Sequence, residues 1–535
     1  MMKCNSMRAR LTSIIEAPFT LFLLVAFAIY ILLFPALLWT TFSEDDAHIL
    51  RVAIQYDWLQ PFYSHEVYTQ LSATNFTPIV LTIYRFLLIL FSLNSDAFLL
   101  FMLLSMAVFT ALAGYLIWQL TYSKPLSWLL MLLLFANFTL HTFLTRFYTA
   151  HYLLGGVFAL ISVILVCRQR GNRTEPLLIG IFLLLAMLSK EVYLVLPLIL
   201  GLISLKNSNY KNIISLIVVS VAYAVMRIYI LGDRSNGNDG AVGIISALLA
   251  ISGTSWLSFF LWYAKSHIFV FLALLLALIV SFKKTLALLV FALLFALPTL
   301  AAPHGFLIPE LHGDRIFFAL DSALAIVAVV AMRDFPQLKR FNNRMILVAL
   351  LVVVYSVHLM NSLSLKEQLQ QTADYNITKF MLDESHTLAG KTLFVPLAFT
   401  QGDIVNVQAM LGGESYEVTH NCALALQATE ANLIAFNGSG GRIDRELLEQ
   451  SCEPGFPDVQ ILIPPHVDDG FIKWELAFSD GYQGGVLLVD RGLAVPAPSF
   501  SVLLANPKPG ERYQLFANRG NQWWFSSVMP IEVSD

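Results

Sequence analysis

The sequence predicts a polytopic α-helical membrane protein of about 10–12 spans, followed by a C-terminal exported soluble domain, α/β or mostly β. Three observations carry this. Of 535 residues, 57% are hydrophobic and 13% charged, where a soluble chain carries about 45–50% apolar and about 25% charged residues. The mean hydropathy is +0.69. Uncharged apolar runs recur up to Met360, and beyond it charge density becomes ordinary.

In chain order, no charge interrupts Ala17 to Ser43 or Ala97 to Leu120, and further apolar runs are 125–145, 152–167, 176–189, 192–205, 212–231, 266–282, 285–308, 316–332 and 345–360. Lipid offers backbone groups no partner, so such runs must close their own hydrogen bonds as helices. The first run follows Lys3, Arg8 and Arg10, is longer than a signal-peptide core and lacks a small-residue cleavage site, so it reads as a retained anchor with its N-terminus inside. Residues 1–360 form the membrane domain, with a first outer loop at 43–96, and 361–535 the soluble one. In the latter, 364–388 reads helical and the rest as strands between turns.

Lys124, Arg168/Arg170/Arg173, Lys206/Lys211, Lys283/Lys284 and the basic run Arg333–Arg344 belong on the cytoplasmic side. Alternation then places 43–77, 145–151, Lys190-Glu191, 232–240, 303–315 and the tail outside, provided that 78–93 and 241–263 lie at the surface or re-enter. The expected location is a bacterial inner (plasma) membrane with a periplasmic or extracellular tail. A net charge of −3 gives no basic surface for nucleic acid. Four cysteines form no zinc pattern. Cys422 and Cys452 both fall in the exported tail, where a disulfide can persist or both thiols stay free.

The conspicuous polar groups gather on the outer face. Ser43 reads as an N-cap for a membrane-surface helix, with Glu44, Asp45 and Asp46 in its first turn and Ile49, Val52, Ala53, Tyr56 and Leu59 at helical spacing. Acids favour helix N-termini for structural reasons alone. The functional alternative is a carboxylate that deprotonates a hydroxyl acceptor, or Asp45 and Asp46 holding a divalent cation such as Mg or Mn. Lys190 and Glu191 follow a short apolar segment, so Lys190 sits at the hydrocarbon edge as a site residue or a snorkelling pair member. His304, His312, Asp314 and Arg315 lead into a span and suit a phosphate at the bilayer surface or an interfacial anchor. Arg146, Tyr148 and His151 form a smaller outer-face set.

Taken in order, Glu44-Asp45-Asp46, Asn75-Phe76-Thr77-Pro78 to Asn94-Ser95-Asp96, Arg146-Phe147-Tyr148, Ser189-Lys190-Glu191 and Asp314-Arg315-Ile316-Phe317 resemble the GT-C superfamily of integral-membrane glycosyltransferases. Protein O-mannosyltransferases and lipid A aminoarabinose transferases belong to that group. The resemblance covers about residues 10–360. The 145–151 loop lacks an acid that several relatives place there, Asn-Phe-Thr-Pro replaces the commoner His-x-Pro, and Trp523-Trp524 is followed by Phe525, not Asp. The resemblance implies a polyprenyl-phosphate-linked sugar donor and a glycan, lipid or protein acceptor. It also implies transfer with inversion on the outer face. Asp46 would act as general base, with Asp45 as alternative. Arg315 and Lys190 would neutralise the leaving phosphate, supported by His312 and Arg146. That assignment expects Asp46, Lys190 and Arg315 to border one outward-opening cavity. The competing readings are an O-antigen polymerase or ligase, a lipid-linked sugar transporter or flippase, and a partner-binding membrane protein.

Overall fold

The apolar runs become helices in a computed structural model. It describes residues 18–43, 45–71, 75–137, 139–168, 174–232, 253–300, 314–334, 344–395, 401–412, 416–419, 422–438, 440–451, 459–468, 471–478, 483–488, 493–496, 499–502, 512–519, 522–526 and 528–533. Among these, five helical stretches are long and apolar enough to cross a membrane: Pro18–Leu37, Ser95–Thr121, Phe147–Arg168, Tyr210–Leu231 and Ile268–Pro298. Three shorter apolar helices are Pro78–Phe91, Lys124–Phe135 and Glu175–Ser189. The protein is therefore mostly helical and built for a membrane, with strands confined to its C-terminal part.

The chain divides into two compact units. The first comprises 1–40, 74–80 and 96–363; the second comprises 41–73, 81–95 and 364–535. In the first unit, Ser95–Thr121 and Phe147–Arg168 are mostly buried by neighbouring helices, while Tyr210–Leu231 and Ile268–Pro298 are largely exposed. Arg344–Leu369 lies beside the first helix: Tyr355 donates to Leu32 O at 3.0 Å, and Ser362 Oγ donates to Ala36 O at 3.1 Å while accepting from Trp39 Nε1 at 3.3 Å. This helix continues past Met360 to Leu369.

Close helix approach depends on small residues. A Cβ on Gly155 would lie 2.2 Å from Tyr193 Cε2, and one on Gly156 would lie 2.8 Å from Phe109 Cε2. The pair lets the Tyr193 ring rest on the Ala150–Arg168 helix, where its hydroxyl donates to Tyr152 O at 2.5 Å.

Ile268–Leu293 is broken at Ser281, whose φ and ψ are −149° and 61°. Thr285 Oγ1 donates at 2.9 Å to the carbonyls of both Ser281 and Ala277. In a straight helix, residues 277 and 285 are about 12 Å apart along the axis, so the chain bends sharply just before Lys283 and Lys284. The sequence separates apolar runs 266–282 and 285–308 at the same two lysines.

In the second unit, three strands, β1 (Thr392–Phe394), β2 (Glu417–Thr419) and β3 (Leu433–Phe436), pair in parallel in the order β2-β1-β3, and β4 (Arg442–Ile443) joins β3 antiparallel. Phe394, Ala435, Ala425 and Leu448 form the core between this sheet and the helices Cys422–Gln427 and Arg445–Ser451. The further strands are β5 Val459–Asp468, β6 Phe471–Phe478, β7 Gln483–Leu488, β8 Leu493–Pro496, β9 Ser499–Val502, β10 Arg512–Arg519, β11 Gln522–Phe525, β12 Met529–Pro530 and β13 Glu532–Val533. They form two sheets, one ordered β11-β10-β7-β8 with β12 also on β10, the other β13-β5-β6-β9. An α/β part thus precedes a β part. Cys422 is disulfide-bonded and Cys167 is free; Cys452 lies outside the described residues.

Candidate functional site

The helix Glu175–Ser189 stops because Lys190 is extended, at φ −159° and ψ 139°, before a single-turn helix at Glu191–Val195. The break turns two charged side chains back into the bundle. Lys190 Nζ donates to Asn75 Oδ1 at 2.6 Å, lies 3.6 Å from Glu191 Oε2 and stands 5.2 Å from the centroid of the Tyr152 ring. Glu191 Oε1 accepts the Phe76 N–H at 2.6 Å and pairs with Arg227 at 3.8 Å. One carboxylate therefore answers two cations and a backbone donor, all largely shielded from solvent.

Arg315, in the first turn of Asp314–Ala331, donates to the buried Tyr148 hydroxyl and stands over that ring at 4.9 Å. The His151 ring lies 4.5 Å from that of Tyr152, the ring over which Lys190 stands, and three residues from Tyr148, the ring over which Arg315 stands. Tyr148, His151, Lys190 and Arg315 thus share one neighbourhood of the first unit, although the sequence scatters them. Arg146 precedes the short turn Phe147–Thr149, and its carbonyl accepts both the backbone N–H and the hydroxyl of Thr149. His304, His312 and the Asp314 side chain lie outside the described residues.

Three residues join this centre that sequence reasoning did not place there. Asn75 sits in the Asn-Phe-Thr-Pro segment, Tyr152 follows His151, and Arg227 is a charge in an apolar helix that otherwise carries only Lys211 in its first turn. Only Arg227 carried a local signal, because an ionisable group in a span is costly enough to need a reason.

The acidic helix of the second unit runs from Asp46 to Gln55. Asp46 is wholly buried and accepts the Ser43 N–H at 3.0 Å, while the Asp46 N–H donates to Ser43 O at 3.0 Å. The two residues thus clasp each other just ahead of the helix, whose N-cap is Asp45 and not the expected Ser43. Asp45, immediately before the helix, is exposed, and Glu44 lies outside the described residues. The expected apolar stripe ends sooner than its spacing suggests: Val52, Ala53 and Tyr56 are buried, whereas Leu59 is 68% exposed and beyond the helix. The Arg85 guanidinium explains the stop. It donates to the carbonyls of Ala53, Ile54 and Tyr56 and lies 3.7 Å from Asp57, satisfying the helix's last acceptors.

Further along the same helix, Arg51 Nε pairs with Asp403 Oδ1 at 2.6 Å, and His48 Nδ1 lies 3.3 Å from Asp403 Oδ2. The first loop and the tail helix Gln401–Met410 therefore pack together. Among the described residues no group of three His, Cys, Asp or Glu side chains could hold a metal ion. Asp46, one of whose carboxylate oxygens accepts the Ser43 N–H, and the exposed Asp45 are the residues that would hold the expected divalent cation. The chain matches no protein-family model, and no curated protein matches it.

Proposed function

We propose that the protein is a GT-C-like membrane glycosyltransferase of about 10–12 spans that moves a sugar from a polyprenyl-phosphate donor to an acceptor on the outer membrane face. One observation carries the reading: Arg315 stands over the Tyr148 ring and Lys190 over the Tyr152 ring, on either side of His151, whose own ring lies 4.5 Å from that of Tyr152. Concentrated positive charge at a hydrocarbon edge suits a lipid-linked phosphate. In the reaction, the acceptor hydroxyl gives its proton to a carboxylate of the acidic helix and bonds to the anomeric carbon. The bond from that carbon to the phosphate oxygen breaks with inversion, and the polyprenyl phosphate leaves with its electron pair. Lys190 and Arg315 stabilise the developing charge, a large share of such catalysis. No step is routed through a metal ion.

A second reading, a transporter or flippase of lipid-linked sugars, draws support from a wholly buried ion pair. His267 Nε2 lies 2.8 Å from Asp321 Oδ2, and Asp321 also accepts from the Tyr263 hydroxyl. Transporters place ionisable groups deep within the bundle.

One experiment separates the two. Isolated membranes given radiolabelled polyprenyl-phosphate sugars should transfer label to a glycan, lipid or protein acceptor. Label that crosses the bilayer but stays on the polyprenyl carrier supports the transporter and overturns the transferase.

A further inference from the structure

We infer that His48 and Asp403 form a proton-dependent latch by which the C-terminal domain holds the first-loop helix Asp46–Gln55. Asp403 is then a positioning residue for that helix. The inference rests on the glycosyltransferase reading only for its effect on activity; the latch is argued from contacts within the second unit.

The His48 ring is held by one nitrogen and offered a choice by the other. Nε2 lies 2.8 Å from Gln70 O, a carbonyl that can only accept, so Nε2 carries a proton. Nδ1 has two neighbours of opposite kind, both at 3.3 Å: an Arg51 guanidinium nitrogen and Asp403 Oδ2. Arginine only donates, so that contact needs Nδ1 bare; a carboxylate only accepts, so the other needs Nδ1 protonated. The two cannot form together. The neutral ring takes the Arg51 N–H, and the imidazolium gives its new proton to Asp403. Histidine is the side chain that ordinarily changes charge between about pH 5 and 8.

Arg51 Nε remains on Asp403 Oδ1 in either state. Asp403 therefore grips the helix at one point when His48 is neutral and at two when it is charged. The other charged or titratable groups on the elements packed against these two helices are Asp46 on the same helix, His65, Glu66 and Tyr68 on His65–Leu71, Tyr84 and Arg85 on Pro78–Phe91, Asp374, Tyr375, Lys379 and Asp383 on Ala373–Asp383, and Glu417 on Glu417–Thr419; Asp403 is the only one on Gln401–Met410. Burial, with Glu66 nearby, pushes the Tyr56 phenol up against the pull of Arg51, so Tyr56 stays neutral throughout this range. Glu66 is an acid on a helix packed against this one, and a variant separates its contribution.

Hydrogen exchange of the full-length protein in detergent, read on the peptide covering 46–55 and corrected for intrinsic exchange, tests the latch. Protection of this helix should rise about tenfold from pH 8 to pH 5.5, in line with a gained charge-assisted hydrogen bond. His48→Gln should keep the pH 8 value and lose the rise. Asp403→Asn should lower protection at both pH values and also lose the rise, while Glu66→Gln should keep it. If Asp403→Asn fails to fold, the wild-type and His48→Gln profiles decide. Protection that does not change with pH in the wild type, or a rise that survives His48→Gln, overturns the latch. Sugar transfer with a flat exchange profile removes the latch and leaves the transferase reading standing. A pH-dependent profile without transfer does the reverse.

Discussion

The Asp46 carboxylate is wholly buried and accepts the Ser43 N–H, so its substitutions separate chemistry from this hydrogen bond. Asp46→Asn keeps an oxygen for the Ser43 N–H and should leave thermal stability near wild type while cutting sugar transfer about 10²–10⁴-fold, the usual cost of losing a general base. Asp46→Ala should lose transfer and, in addition, about 1 kcal/mol of stability from the lost hydrogen bond. A radiolabel assay beside a thermal unfolding curve makes the distinction; normal transfer by Asp46→Asn and by Asp45→Asn would remove the acidic helix from the chemistry. Arg315 is tested in the same assay. Arg315→Ala should weaken donor use by about 1.5–3 kcal/mol, with acceptor dependence little changed. Arg315→Lys should recover only part, because lysine keeps the charge and loses the planar fork. An equal loss in donor and acceptor dependence would point to a general packing role beside Tyr148.

At the scale of elements, what could be read from the sequence follows from how local the cause is. Five helices long and apolar enough to span were legible because lipid imposes one solution on any long apolar run. The break after Ser189 was legible because two charges end the apolar segment there. The acidic helix was legible in Ser43-Glu44-Asp45-Asp46, but its limits were not: it starts at Asp46 behind Asp45 rather than behind Ser43, and Arg85 closes it from another helix, which no residue near Gln55 announces. The same holds for the site. Lys190, Glu191, Tyr148 and Arg315 could each be singled out, whereas their partners Asn75 and Arg227 depend on which helices meet. The buried Tyr263–Asp321–His267 cluster is a further case, joining Gly253–Ser266 to Asp314–Ala331. Removing one member strands a buried charge, so Asp321→Leu should cost about 3–5 kcal/mol. Asp321→Leu combined with His267→Leu should cost clearly less than the two singles added, since the apolar pair leaves nothing unsatisfied. Thermal unfolding of the detergent-solubilised single and double variants checks this, and simple additivity would refute the pairing.

For the whole molecule, the second unit constrains topology in a way that charge counting alone could not. It joins residues 41–73 and 364–535, and the Arg51–Asp403 ion pair, at 2.6 Å, requires first loop and tail to share one side of the membrane. The chain must then cross the bilayer an even number of times between them. Alternation of the Lys/Arg clusters reaches the same parity on the condition that 78–93 and 241–263 do not cross, and it then expects the basic run before Arg344–Leu369 inside and the tail outside. The Cys422 disulfide suits that side, because such bonds persist in oxidising compartments. Compartment-sensitive reporters inserted in the first loop, in the Lys283-Lys284 bend and after Leu369 should therefore read outside, inside and outside. A tail reporter active only in the cytoplasm would reverse the orientation. First-loop and tail reporters that disagree with each other would do more, because no orientation of the chain could then preserve the contact between Arg51 and Asp403.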